Sequence, residues 1–252
     1  MRIFKTLVCI GSAILFSNMA LSAPSNISSP VEKIYIPHGF DSNDNVQVIM
    51  SGTFPNSCFK TGLTGSSVDL QSNTVLVWAK SYDYSGAGHI CTQALVPFIQ
   101  EVNIGILPPG KYKVKFASDP SVNNTLTVAP HRIESPDDYL YAPVSSAMVL
   151  DADIKSDESD NYLRKTLTLS GKFPYLFVGC LIMKEVIIRN TPNDVLVAMP
   201  VAEEIDDERC GQSATHDFKV EVPINEVLTG DVLLHVRVMN GHSLNQVLSF
   251  PE

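Results

Sequence analysis

Ser51-Gly52-Thr53-Phe54-Pro55 returns as Ser170-Gly171-Lys172-Phe173-Pro174, 119 residues further on. Four other landmarks follow at nearly the same spacing. Val75-Leu76-Val77 matches Val195-Leu196-Val197, Cys91 matches Cys210, Gly110 matches Gly230, and Asn124 through Pro130 matches Asn245 through Pro251. A spacing that drifts by two residues over five landmarks predicts two copies of one module in tandem. We place them at residues 31–130 and 131–252, with a connector marked by Pro130, Pro136 and Pro143. A connector this short predicts a bent or extended rod with modest contact between the modules.

Around those landmarks the residues alternate with period two. Val46, Val48 and Met50 are interleaved with Gln47, Ile49 and Ser51. Tyr112, Val114 and Phe116 are interleaved with lysines, and Val232, Leu234, Val236 and Val238 with Leu233, His235 and Arg237. Such alternation predicts strands with one face on a core and the other toward water, so His235 is expected on the surface. Leu107-Pro108-Pro109-Gly110 reads as a tight turn between two strands. No stretch carries a sustained 3.6-residue period. The fold class is therefore all-β, two tandem sandwiches.

Residues 1–23 have the form of a secretory signal. Arg2 and Lys5 precede the apolar run Leu7–Phe16, and Leu21-Ser22-Ala23 offers small residues for cleavage. The run is too short to span a bilayer, which takes about 20 apolar residues. Cys9 would leave with the signal. Four cysteines remain, Cys58, Cys91, Cys180 and Cys210, an even number in an oxidising compartment. Of the three connectivities, the repeat selects Cys58–Cys91 and Cys180–Cys210, one bridge per module. The protein is expected to be periplasmic or secreted, with no membrane span once the signal is cut.

Losing Arg2 and Lys5 takes the formal net charge from −9 to −11. Residues 31–130 hold 6 basic and 7 acidic side chains, residues 131–252 hold 10 and 20. That surface repels phosphate backbones and argues against a nucleic-acid partner.

The strand pattern, together with Phe98, Val102, Gly105, Leu107, Pro109-Gly110, Tyr112 and Val114, resembles the last hairpin of bacterial exported proteins built from immunoglobulin-like sandwiches. That resemblance implies two immunoglobulin-like domains. Trp78 lies between Cys58 and Cys91, as a tryptophan does between the sheet-bridging cysteines of immunoglobulin domains, whereas the second copy has Ala198 there.

Three loops could carry function. Tyr82, Tyr84 and His89, leading into Cys91, form an aromatic, glycine-rich loop suited to contact with a protein or glycan partner. Asp41 and Asp44, and Asp157 and Asp160 in the second copy, share a D-x-x-D-N pattern that reads as an Asx turn or as oxygen ligands for calcium, as in the D-x-N-D-N linker of cadherins. Glu203 to Glu208 packs five carboxylates into six residues. A thiolate metal site using His89 or His216 lacks motif spacing. No G-x-S-x-G, H-E-x-x-H, P-loop or G-x-G-x-x-G occurs, so an enzyme would have to be a hydrolase built from dispersed residues. The expected function is a non-enzymatic exported binding or scaffold protein, with no cofactor beyond calcium. The alternatives are a periplasmic pilus-type chaperone, which shares the two-domain form but is usually basic, a protease inhibitor presenting the Tyr82–His89 loop, and a calcium-binding adhesion-like module.

Overall fold

A computed structural model describes residues 23–86, 89–135, 137–151, 165–174, 180–191, 194–205, 216–225 and 227–251. Residues 1–22 of the expected signal, Cys210, Asp157, Asp160 and residues 206–208 lie outside them. The described chain is an all-β sandwich protein of fifteen strands. They are β1 (Ser25–Ser28), β2 (Val31–Tyr35), β3 (Val46–Phe54), β4 (Phe59–Asp69), β5 (Thr74–Asp83), β6 (Val96–Gly105), β7 (Gly110–Phe116), β8 (Asn123–Val128), β9 (Val144–Asp151), β10 (Lys165–Phe173), β11 (Cys180–Thr191), β12 (Val195–Ile205), β13 (His216–Ile224), β14 (Gly230–Val238) and β15 (His242–Phe250).

Four sheets result. In the first, β4 takes one edge of β5, while β1 and β7 share the other and β8 follows β7. The second is β2-β3-β6, the third β11-β12-β14-β15, and the fourth β13-β10-β9. The pairing β5–β7 is parallel, and so is β12–β14. Immunoglobulin sheets are antiparallel, so this pair is a departure. β6 and β7 lie in different sheets. Leu107–Gly110 is therefore a crossing between sheets and not a hairpin turn. Leu107 is buried in the crossing, and the Tyr112 hydroxyl donates to the Pro108 carbonyl at 2.8 Å to hold it.

The Ser-Gly-x-Phe-Pro stretches have a physical basis. A Cβ at Gly52 would overlap the Pro30 carbonyl oxygen and reach the Phe98 ring at 2.9 Å. A Cβ at Gly171 would overlap the Pro143 carbonyl oxygen and reach the Phe218 ring at 2.7 Å. Each glycine lets a neighbouring strand cross close by, and strand register shifts beside each crossing. The phenylalanine two residues on packs against the same ring, Phe54 on Phe98 at 4.3 Å and Phe173 on Phe218 at 4.7 Å between centroids.

The sheets stack in the order first, second, third, fourth. Val46, Val48 and Met50 of β3 meet Val75, Val77 and Val114 in the first core. Leu196 and Ala198 of β12 meet Leu167, Leu169 and Leu234 in another. Between them lies a third core, formed by Tyr35, Ile49, Tyr141, Val195, Val197, Met199 and Leu233. The second and third sheets are thus buried on both faces, and the expected rod with modest contact is replaced by a continuous apolar seam. Each large aliphatic side chain buried there contributes about 1.5–3 kcal/mol. The faces of β3 and β14 expected to meet water meet each other's sheet instead. Ile49 and Leu233 are fully buried, and so is His235, which was expected outside. Alternation identifies two faces; it does not say that water covers the second.

The register also corrects one landmark. Inward-facing Val75 and Val77 correspond on the ladder to Leu196 and Ala198, and Leu76 to Val197. Identical letters one residue earlier had suggested Val195 and Val197, a slip that exchanges the faces. Trp78 accordingly stands opposite Met199 in the scheme and not Ala198.

Candidate functional site

Alternate residues of β14, Asp231, Leu233, His235 and Arg237, run along the seam, with the apolar stretch at Leu233 between polar ends. At one end the Asp231 carbonyl accepts from Lys33 Nζ at 3.4 Å, and Lys33 also pairs with Asp194 at 2.8 Å. Leu233 follows in the apolar centre. His235 comes next, with Nδ1 2.7 Å from Asn245 Oδ1. The Asn245 amide nitrogen donates to Glu101 Oε2 at 3.1 Å, which fixes its oxygen toward the histidine, so Nδ1 carries the proton. Ser243 and Gln47 complete this polar bridge, the Gln47 amide donating to the Gly241 carbonyl at 3.1 Å. Burial holds the His235 imidazole down at about 4, against the raising effect of its bond to Asn245.

Arg237 ends the row, with a side chain only 9 % exposed. Its Nη1 donates to the Tyr141 hydroxyl at 3.2 Å and lies 3.9 Å from Asp44 Oδ2, while Nη2 reaches the His38 carbonyl at 3.4 Å. The guanidinium sits over Phe40 at 5.0 Å and Tyr141 at 5.9 Å. Its Nε is buried with no hydrogen-bond partner. Burial pushes the Asp44 carboxyl up to about 6, outweighing the Asp41 N–H bond and the pull of Arg237. Burial likewise raises Asp137. Asp44 and Asp137 are thus the carboxylates facing Arg237, each harder to ionise than a free aspartate.

Arg237 lies at a cavity of about 180 Å³ where the two stacked pairs of sheets and the connector meet. Phe40, Tyr141, Val197 and Met199 give it aromatic and apolar lining, and Arg132 and Arg189 add two more guanidiniums. Both of these arginines are exposed, and among the described residues neither side chain has an ion pair or hydrogen bond. Asp41 and Asp138 also line the space. Asp41 is engaged locally, its Oδ1 accepting from the Asn43 N–H at 3.1 Å. The cavity presents cationic donors with planar, fork-like geometry beside aromatic faces, which is the chemistry of oxyanion recognition.

The sites expected from sequence are dispersed. Tyr84 meets His89 edge-on at 6.2 Å, and the Tyr84 N–H donates to the Cys58 carbonyl at 3.1 Å. Tyr82 lies on β5 over Gly62. The disulfide Cys58–Cys91 closes the base of this loop, with Cα atoms 5.3 Å apart. Cys180 is also disulfide-bonded, while Cys210 lies outside the described residues. Asp41 and Asp44 are both buried; Asp41 Oδ1 accepting from the Asn43 N–H makes an Asx turn, and Asp44 Oδ2 reaches back to accept from the Asp41 N–H at 2.8 Å. Asp157 and Asp160 lie outside the described residues. Among the described residues no group of three or more His, Cys, Asp or Glu side chains is arranged to hold a metal. No helix among them is long and apolar enough to cross a membrane.

Arg237, Tyr141, Phe40, Arg132 and Arg189 were missed in the sequence because they come from four separate segments. One signal was available. β7 carries Lys111, Lys113 and Lys115 at the ladder positions where β14 carries Asp231, Leu233 and His235. A face that is lysine on β7 and partly apolar on β14 has different surroundings in the two.

The family model of the ORF11 beta-sandwich domain matches residues 48–128, the span from β3 through β8. Comparison with curated proteins and with solved structures returns no match.

Proposed function

We propose that this chain is an exported, non-enzymatic binding protein of two tandem sandwiches, residues 31–130 and 131–252, that takes a small ligand in the cavity at the mouth of the seam. The sandwiches are immunoglobulin-like in layer architecture, with a parallel pair inside one sheet of each. The observation that carries the reading is the cavity lined by Arg132, Arg189 and Arg237, the last held beside the Phe40 and Tyr141 rings. Arg132 and Arg189, with no ion pair or side-chain hydrogen bond among the described residues, leave guanidinium donors for a bound oxyanion. The apolar seam supports the reading in a second way. It fixes the segments that line the cavity, so little ordering entropy is lost on binding. Export is supported by the Cys58–Cys91 bridge, a bond of oxidising compartments.

A thermal-shift panel of amino acids, organic acids, sugars and nucleosides tests this, because a ligand of the native state raises Tm. The reading predicts at least one stabilising compound whose effect disappears in Ala129→Trp, which plugs the cavity from an exposed position. A panel with no stabiliser, or one acting equally on Ala129→Trp, contradicts it.

A second reading places a protein partner on the Tyr82–His89 loop. Ile90 is fully exposed and Leu95 nearly so beside the Cys58–Cys91 bridge. Under this reading Ile90→Ser with Leu95→Ser abolishes partner binding, and an unaltered affinity rejects it.

A further inference from the structure

We infer that the seam cavity selects a carboxylate on a short apolar body, either a small free acid or the C-terminal residue of a peptide. This rests on the cavity being the binding site and adds the chemical class of what enters it.

Three features set the class. The first is charge. Arg132, Arg189 and Arg237 line one cavity in a chain whose second half is strongly acidic. Asp41 and Asp138 line the same space and Asp44 and Asp137 face Arg237, so the cationic donors free for a ligand are those of Arg132 and Arg189. The second is hydrogen-bond capacity. Arg237 spends Nη1 on Tyr141 and Nη2 on a long bond to the His38 carbonyl, and its Nε is sealed inside, so it contributes chiefly charge. Arg132 and Arg189 keep all their donors among the described residues. A carboxylate is acceptor-only and accepts such donors in pairs. The third is size. A cavity of about 180 Å³ holds roughly six waters at about 30 Å³ each. That admits a carboxylate and a short aliphatic chain against Val197, Met199 and Phe40. It is below the roughly 300–1,000 Å³ of pockets that enclose drug-sized ligands.

The test is titration calorimetry on the full mature chain at fixed ionic strength. The probes are 4-methylpentanoate, its primary amide, the peptide acetyl-Val-Leu with a free C-terminus, the same peptide as its C-terminal amide, and inorganic phosphate. At least one free carboxylate is expected to bind, with its amide weaker by about tenfold or more, the scale of one charge-assisted hydrogen bond. Binding of the pentanoate with or without the peptide assigns a small free acid, and binding of the peptide alone assigns a chain end. Arg189→Gln and Arg132→Gln, both at exposed positions that leave the seam intact, should each weaken the carboxylate by a similar factor. Arg237→Lys keeps the charge and removes the fork, and is expected to weaken it further. Acid and amide binding alike, with both blocked in Ala129→Trp, would overturn the carboxylate assignment and leave the cavity standing as the site. Phosphate binding as tightly as the acids would overturn it too. Binding of no probe, or carboxylate binding unchanged in both Arg→Gln variants, also overturns it.

Discussion

At the scale of single residues, His235 makes the clearest claim. Its imidazole is buried, donates from Nδ1 to Asn245, and is held neutral down to about 4. An unfolded histidine titrates near 6.5. Between those values the unfolded chain binds the extra proton, so stability contributed by this group is present above pH 6.5 and lost as pH falls toward 4. The full effect is about 3 kcal/mol, from roughly 1.4 kcal/mol per pKa unit. Asp44 runs the other way, because its folded value is raised to about 6 and folding favours its protonated form below that. Urea midpoints of wild type and His235→Gln between pH 7 and 4 separate the two. The wild type should lose stability relative to the variant on acidification, and identical pH profiles would remove this account of the histidine. His235 and Arg237 were legible in the sequence as members of an alternating strand. Their burial was not, because what covers them is the far half of the chain.

At the scale of elements, the strands were largely legible and their surroundings only partly. The recurring Ser-Gly-x-Phe-Pro located β3 and β10, since each glycine is where another strand's proline carbonyl presses in. Gly52→Ala should therefore cost about 1–3 kcal/mol, the usual range for overpacking, read as a lowered urea midpoint. A midpoint unchanged from wild type would show that the crossing can yield. β12 carried a stronger hint than alternation. Val195-Leu196-Val197-Ala198-Met199 is continuously apolar, the mark of a strand buried on both faces. The ladder makes the same point by contrast, with Lys113 beside Thr74 in the first sheet and Leu233 beside Val195 in the third. Writing the β7 residue into β14, Leu233→Lys, puts an ammonium into the apolar centre of the seam. The expected loss is about 3 kcal/mol or more. A loss under about 1 kcal/mol would mean that the seam opens to water at little cost.

At the scale of the whole molecule, four sheets form one stack with a core at each of three interfaces. The outer face of the first sheet carries Lys80, Lys111, Lys113 and Lys115, where the corresponding face of the third sheet carries seam residues. Lysines there keep the stack from adding a further layer, as polar end faces do in repeat arrays. The candidate cavity exists only because the halves are fixed together, since its lining comes from both halves and from the connector. A reading of each half alone could not find it. Scanning calorimetry of residues 24–252, Cys58–Cys91 intact, asks directly whether the seam makes one body. One transition with equal calorimetric and van't Hoff enthalpies is predicted. Two separable transitions, each carrying about half the heat, would mean that the halves melt independently and that the seam does not hold them.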